Sequence, residues 1–279
     1  PARPSHGTAP PPSLSTMAPG TELLLRNAYA TVLPHGALAE LWFGGATSLA
    51  ELRDSLALRA ESTYGEITPA GVRALAGRLG AGEGEVFADL GSGLGRCALQ
   101  VYLETDVSHV VGVELETKRH TAAVQVVQEG LAEPAELELC TEVGCSVRSC
   151  RWRDRRGRLL ELVRGNLLAT GHAWHGSTIV FCSSLCFSDE VLEQVSRQFD
   201  ECCPRLRWIA SLKMLPRYAA FSLAGVERWP MTWRCEACPV YLYQRLKRYP
   251  LVRSLLEEPW ASLQAAEKKE LSWRGGQQA

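Results

Sequence analysis

The sequence predicts an α/β fold: a Rossmann-like sheet, mostly parallel, closed by an antiparallel last hairpin and preceded by an N-terminal helical lobe. Three observations carry this. The run Glu85-Val86-Phe87-Ala88-Asp89-Leu90 is apolar and then breaks at the alternating glycines Gly91, Gly93 and Gly95. A buried parallel strand ending in a tight turn reads this way. The segment from Cys97 to Leu103 is apolar enough for a helix packed on the sheet, and the next apolar run, His109-Val110-Val111-Gly112-Val113-Glu114, ends in an acid 25 residues after Asp89.

The glycines let the backbone pass close to a ligand at positive φ. The helix after them points its free N–H groups at whatever lies above. Nicotinamide-binding folds space their glycines as G-x-G-x-x-G, whereas here they run G-x-G-x-G with Asp89 two residues ahead. That form is similar to the loop of class I S-adenosylmethionine-dependent methyltransferases. Glu114, at the end of the next strand, can accept both hydroxyls of a ribose. A plain glycine turn with a solvated glutamate accounts for either feature singly. It does not account for the pair.

Composition sets wider bounds. A chain of 279 residues holds one large α/β domain plus an added lobe. A net charge of −1 gives no global field for nucleic acid, and no apolar run reaches the ~18 residues of a membrane span. The chain opens on Pro1 rather than methionine, as a fragment would. Ten cysteines are expected as free thiols in a reducing compartment. Cys235-Glu236-Ala237-Cys238 has half of a zinc knuckle's spacing. Cys202-Cys203 and Cys145 with Cys150 are poor second pairs, so no metal site is expected.

In chain order, residues 1–20 are rich in Pro, Ser and Gly and are expected to be disordered. A helical lobe follows over 21–80. It has helical patterns at 22–33 and 38–43, and a capping box at Ser48 and Glu51 ahead of Leu49, Leu52, Leu56 and Leu58. Its last helix has Thr68 as cap, Pro69 at its first position and Gly80 as its stop. The sheet domain spans 81–250. A helix is predicted over 116–129, then an insertion over 134–157 carrying Arg148, Arg151, Arg153, Arg155 and Arg156, with Arg158 just beyond it. The run from Arg148 to Arg158 could touch phosphate, although a solvated loop is the simpler reading. Strands are predicted at 159–163, 179–181 and 206–212, a helix at 190–199, a hairpin of 231–233 with 239–243, and a helical tail over 251–279. Ligands in open α/β sheets bind at the carboxyl ends of strands, so Asp89, Glu114, Asn166 and Ser183 should share one rim.

Between Tyr64 and Leu246 the chain resembles a known family. The residues that carry the likeness, in order, are Tyr64-Gly65-Glu66, the loop from Phe87 to Gly95, Leu99-Gln100-Val101, Gly112-Val113-Glu114, Gly165-Asn166-Leu167-Leu168, Ile179-Val180-Phe181, Ser211-Leu212-Lys213, Trp233 and Pro239-Val240. The family is the disruptor-of-telomeric-silencing methyltransferases, non-SET enzymes that methylate a lysine on the globular part of histone three in nucleosomes. The resemblance implies S-adenosyl-L-methionine as cofactor, a histone or nucleosome as partner, a nuclear location and no membrane. It implies that Tyr64, Gly65, Glu66 and Ile67 cover the cofactor's methionine end, and that Asp89, Gly91, Ser92, Gly93 and Gly95 lie beneath it. Glu114 then takes the ribose and Asn166 the adenine, with Phe87, Arg96 and Leu167 completing the set. Ser183, Phe187, Trp233 and Tyr241 are implied for the substrate channel, Tyr243 being the alternative tyrosine.

The sequence departs from the family at several of these positions. Arg96 stands where the family usually has Gln, Asn166 where it has Asp, Ile67 where it has Thr, and Ser183-Ser184 where it has Asn-Asn. Two alternatives stay open: a class I methyltransferase of RNA, DNA or a small molecule, and an inactive relative that binds cofactor. Ser183-Ser184-Leu185-Cys186 lacks the Asn/Asp-Pro-Pro-aromatic sequence of DNA-amine methyltransferases. The intact Asp89, glycines and Glu114 argue against loss of the cofactor site.

Overall fold

Val86–Leu90 forms β1, and its side chains alternate between two cores. Phe87 enters one, while Ala88 and Leu90 enter the other. The structure, a computed structural model, describes residues 20–33, 66–140, 149–216, 218–232 and 237–246. The expectations for 1–19, for the helices over 38–43 and after Ser48, for Tyr64, Gly65, Arg148, Trp233 and Cys235, and for the tail lie outside these residues.

Around β1 the strands are β2 (His109–Glu114), β3 (Glu138–Leu139), β4 (Ser149–Arg153), β5 (Leu159–Arg164), β6 (Ile179–Cys182), β7 (Trp208–Ser211), β8 (Phe221–Trp229) and β9 (Cys238–Arg245). Their spatial order is β3-β4-β5-β2-β1-β6-β7-β9-β8. β5, β2, β1, β6 and β7 run parallel, while β9 and β8 add an antiparallel end. The chain leaves β1 for β2 on one side and returns to β6 on the other. That switch point opens a crevice at the carboxyl ends of β1 and β6.

Helices cover both faces. On the first lie α1 (Gly20–Val32), α2 (Pro69–Leu79), α3 (Arg96–Glu104) and α4 (Thr117–Gln125). The short α5 (Gly171–Trp174) and α6 (Asp189–Glu201) lie on the second. Thr68 accepts the Gly71 N–H at 3.2 Å, Pro69 takes the first turn, and Gly80 closes α2 in a left-handed conformation at φ 66°, as the cap signals predict. The helix expected over 116–129 changes pitch instead, giving way to a π-helical turn at Val126–Leu131. On that turn α1 docks. A Cβ on Gly130 would sit 2.5 Å from the Ala28 Cβ and 2.6 Å from its Cα, so only glycine admits the helix.

Two expectations are corrected. The segment 134–157 is not an irregular insertion but contains β3 and β4, which extend the sheet past β5. Four arginines of the run are engaged locally: Arg151 with Glu161 at 3.0 Å, Arg155 with Glu136 at 3.2 Å, Arg156 with Asp106 at 2.7 Å and Arg158 with Asp154 at 2.8 Å. The last hairpin begins at Phe221, not at Met231. β8 is a sheet edge with much of its surface exposed and an irregularity between Leu223 and Gly225, so its apolar alternation is weak. Met231 instead bridges to Ile67, ahead of α2.

A polar cluster ties β4 and β5 to β2. Glu161 is 3 % exposed; it accepts from Ser149 Oγ at 2.9 Å and Arg151 at 3.0 Å, with His109 Nε2 at a long 3.4 Å. Burial would raise the Glu161 pKa, but the contacts from His109, Arg151 and Ser149 outweigh it and hold it at about 2. A carboxyl held below its unfolded value gives stability that is complete above about pH 4.5 and is lost as pH falls through about 2. Denaturant midpoints measured from pH 6 to pH 2 should therefore fall more steeply in the parent than in Glu161→Gln. Gly130→Val should cost about 1–3 kcal/mol by forcing α1 off its seat, read from the denaturant midpoint.

Candidate functional site

The glycine turn after β1 folds back over β2. The N–H groups of Gly91 and Ser92 both donate to the Val113 carbonyl at 2.9 Å. Gly91, Gly93 and Gly95 take φ of 83°, 57° and 81°, a region open to glycine at little cost. A side chain on Gly91 would meet the Ser183 Cβ at 3.4 Å and the Phe187 ring at 3.6 Å. Above the turn, at the carboxyl ends of β1, β2, β5 and β6, lies a cavity of about 380 Å³.

Three buried carboxyl groups face it: Glu66, Asp89 and Glu114. Glu114 accepts the Gly93 N–H at 2.7 Å and the Glu116 N–H at 2.8 Å, and Arg119 lies 3.3 Å away. It therefore holds the loop as well as facing the cavity. Glu66 is positioned by a short two-stranded clamp: its N–H donates to Thr232 Oγ1 at 3.0 Å, and its carbonyl accepts the Thr232 N–H at 2.8 Å. Burial pushes its pKa up to about 7, against the pull of Arg96 at 3.2 Å.

Asp89 differs from the other two. It is 1 % exposed, and neither oxygen makes a close, well-aligned hydrogen bond among the described residues. Burial pushes its pKa up to about 8; the Ala98 backbone N–H opposes this, while Glu114 and Glu66 add to it. Such a group is costly to bury and is satisfied by a cationic ligand.

The acceptor side of the cavity is a pinned turn. After β6, Ser183 donates its N–H to the Leu90 carbonyl at 2.9 Å. Ser184 Oγ lies 2.8 Å from Ser211 Oγ and accepts the Lys213 N–H at 2.8 Å, while Lys213 Nζ donates to the Phe187 carbonyl at 2.6 Å. Of the serine pair that replaces Asn-Asn, Ser184 is thus fully buried structure and Ser183 lines the cavity.

The structure brings together Glu66, Ile67, Asp89, Gly91, Ser92, Gly93, Glu114, Asn166, Leu167, Ser183 and Phe187 on this cavity. Four expected residues lie elsewhere. Phe87 is fully buried in the core, and Gly95 packs behind the turn, 3.3 Å from the Ala123 Cβ if given a side chain. Arg96 stands behind Glu66, and Tyr241, opposite Ser211 on β9, packs on the second core. Sequence reasoning missed Leu115, 53 % exposed and directly after Glu114, which joins Leu167 on the cavity wall. It also missed Arg119, Leu185 and Cys186; for Leu115 and Arg119 the sequence signal was proximity to the strand-end acid.

S-adenosylmethionine fits these residues. Asp89 offers a buried carboxyl that a cation would favour in its ionised form, Glu114 an acceptor for the ribose, and Leu115 with Leu167 apolar surface for a flat base. Among the described residues no group of His, Cys, Asp and Glu could hold a metal ion.

A carboxyl raised above its unfolded value gives stability that is complete below about pH 4 and is lost as pH rises through about 8, as for Asp89. Asp89→Asn should therefore stabilise the cofactor-free protein at pH 8 by on the order of 1–3 kcal/mol relative to the parent, read from denaturant midpoints. The same variant should bind the cofactor at least about tenfold more weakly by calorimetry, having lost a charged partner.

Comparison with known proteins bears on the family. A search of curated proteins returned no match. Among solved structures, the RNA methyltransferase from Salinibacter ruber in complex with S-adenosyl-L-homocysteine is 18% identical, covering 64% of this chain and 92% of that one at a TM-score of 0.43. TrmN from Thermus thermophilus is 17% identical over 69% of this chain and 53% of its own, at a TM-score of 0.46. The family model of the histone methylation protein DOT1 matches residues 47–228, well over half of the chain. The match spans α2, the glycine turn, the pinned serines and most of β8, and the chain belongs to the DOT1 histone methylation protein family as an S-adenosylmethionine-dependent methyltransferase with the class I fold.

Proposed function

We propose that this methyltransferase acts in the nucleus on a lysine of the globular core of histone three, within the nucleosome. The family supports the acceptor class. The observation that carries the reading is the opening beside Gly91, where Ser183, Leu185 and Phe187 form a mostly apolar rim next to the buried carboxylates. The bound cofactor supplies an electrophilic methyl on a sulfonium. The chain's own contribution is placement: the pinned turn fixes Phe187 and Ser183, so an incoming amine is held in line rather than recruited from solution. An apolar rim also lowers a lysine's pKa by disfavouring its charged form, leaving the amine's lone pair free.

The parent protein, incubated with methyl-labelled cofactor and, in parallel, nucleosomes, free histones and total RNA, should label histone three on lysine and most strongly in nucleosomes. Label confined to RNA would replace this reading with an RNA methyltransferase. Cofactor binding without label anywhere would leave an inactive relative.

DNA contact through the arginine run belongs to the same proposal in narrowed form. Arg155 and Arg156 are 77% and 62% exposed, and their partners Glu136 and Asp106 are exposed too; such pairs are weak and open to exchange with phosphate. Arg151 is excluded because its loss would strip the buried Glu161. Arg153→Ala with Arg155→Ala and Arg156→Ala should weaken nucleosome binding and reduce the salt slope by roughly one to three, with cofactor affinity unchanged. An unchanged slope would mark the run as solvated surface.

A further inference from the structure

Behind the cofactor cavity lies a chain of contacts that the transfer chemistry does not use. Tyr29, on α1, donates its hydroxyl to the Leu94 carbonyl of the glycine turn at 2.9 Å. The Arg96 guanidinium stacks on the Tyr29 ring, 4.6 Å from its centroid, and reaches Glu66 at 3.2 Å. One side chain thus touches the lobe and the cavity wall. Arg96 also lines a second cavity of about 350 Å³, together with Tyr29, Leu33, Gln100 and Glu104.

The geometry points to Arg96 as a positioning residue: seated on Tyr29, it holds the Glu66 carboxyl against the cofactor cavity, so that docking of α1 and filling of the cofactor cavity reinforce each other. This rests on the reading of the larger cavity as the cofactor site. The physical case is one of competing effects on one carboxyl. Burial disfavours the Glu66 carboxylate, and Arg96 is the cation that opposes this. Among the described residues, the titratable groups that couple to Glu66 besides Arg96 include Asp89 at the end of β1, Cys97 on α3 and Tyr29 on α1. None of these offers a positive charge. A cationic ligand favours Glu66 ionised, and an ionised Glu66 favours Arg96 in place. Arg96 in turn favours Tyr29 beneath it through the attraction of a guanidinium for a ring face. Two sites that bias one arrangement are coupled, and each must strengthen the other by the same factor.

Arg96→Gln is the informative variant because it introduces the residue common in the family and removes the charge while leaving a polar side chain. Cofactor binding should be measured by calorimetry from pH 6 to pH 9 for the parent, Arg96→Gln, Arg96→Lys and Tyr29→Leu, with amide exchange of α1 followed with and without cofactor. In the parent, affinity should fall as pH drops through the Glu66 range near 7, and cofactor should slow exchange in α1. Asp89 contributes a separate, higher step. In Arg96→Gln the lower step should move to higher pH, with affinity about five- to tenfold weaker near neutrality, and cofactor should no longer protect α1. Arg96→Lys should keep the pH step near the parent's, because the charge remains, yet protect α1 less, because a lysine lacks the flat stack on Tyr29. Tyr29→Leu should lose the protection while leaving the pH step close to the parent's.

An Arg96→Gln protein with the parent's pH profile and α1 protection would overturn the inference. So would an equal loss of affinity at every pH in both Arg96 variants, which would mark a purely structural role. A parent that binds no cofactor at any pH would overturn the cofactor reading itself, and this inference with it.

Discussion

The uncompensated Asp89 carboxyl is the constraint around which the site is built. A strand end that buries an acid with no partner is unfavourable for the protein alone. The surrounding acids are each relieved: Glu114 by two backbone N–H groups and Arg119, Glu66 by Arg96. That leaves Asp89, whose pKa burial pushes up to about 8, so that without a ligand the carboxyl is mostly protonated at neutral pH. A cation placed beside it, such as a sulfonium, favours the ionised form and so lowers that pKa.

What was legible in the sequence follows from how strongly each element is constrained. β1 and β2 are buried on both faces, so they read as continuous apolar runs, and the cap at Thr68 with the stop at Gly80 delimited α2 directly. The rim of Asp89, Glu114, Asn166 and Ser183 followed from the strand-end rule, and all four line the cavity. The elements that stayed hidden are sheet edges. β8 is interrupted at Gly225 and shows exposed Leu223 and Val226 among polar residues, so it carries no clean period. β4 looked like a basic loop because Arg151 and Arg153 alternate with a single large buried residue, Trp152.

Site residues were lost for a different reason. Phe87 and Gly95 belong to the motif but face the core and the helix behind it; a motif records what the turn needs as well as what the ligand touches. Tyr241 sits in a strand whose period places it away from the cavity. The replacement of the family's Asn-Asn by serines is legible only in three dimensions. Ser184, Ser211 and the Lys213 N–H form one hydrogen-bonded unit, so the second serine belongs to the frame and the first to the surface of the site.

The clamp between the segment before α2 and the end of β8 has a consequence for how the protein is made. Glu66 and Thr232 are 166 positions apart, yet each donates its backbone N–H to the other. A nascent chain that has emerged only as far as β6 already holds Asp89 and Glu114, but Thr232, which seats Glu66, has not yet emerged. Pairings of such long range are slow to form, since loop-closure entropy is lost before the contacts compensate for it. The part of the cofactor wall that carries Glu66 is therefore completed only once the chain beyond β8 has been made.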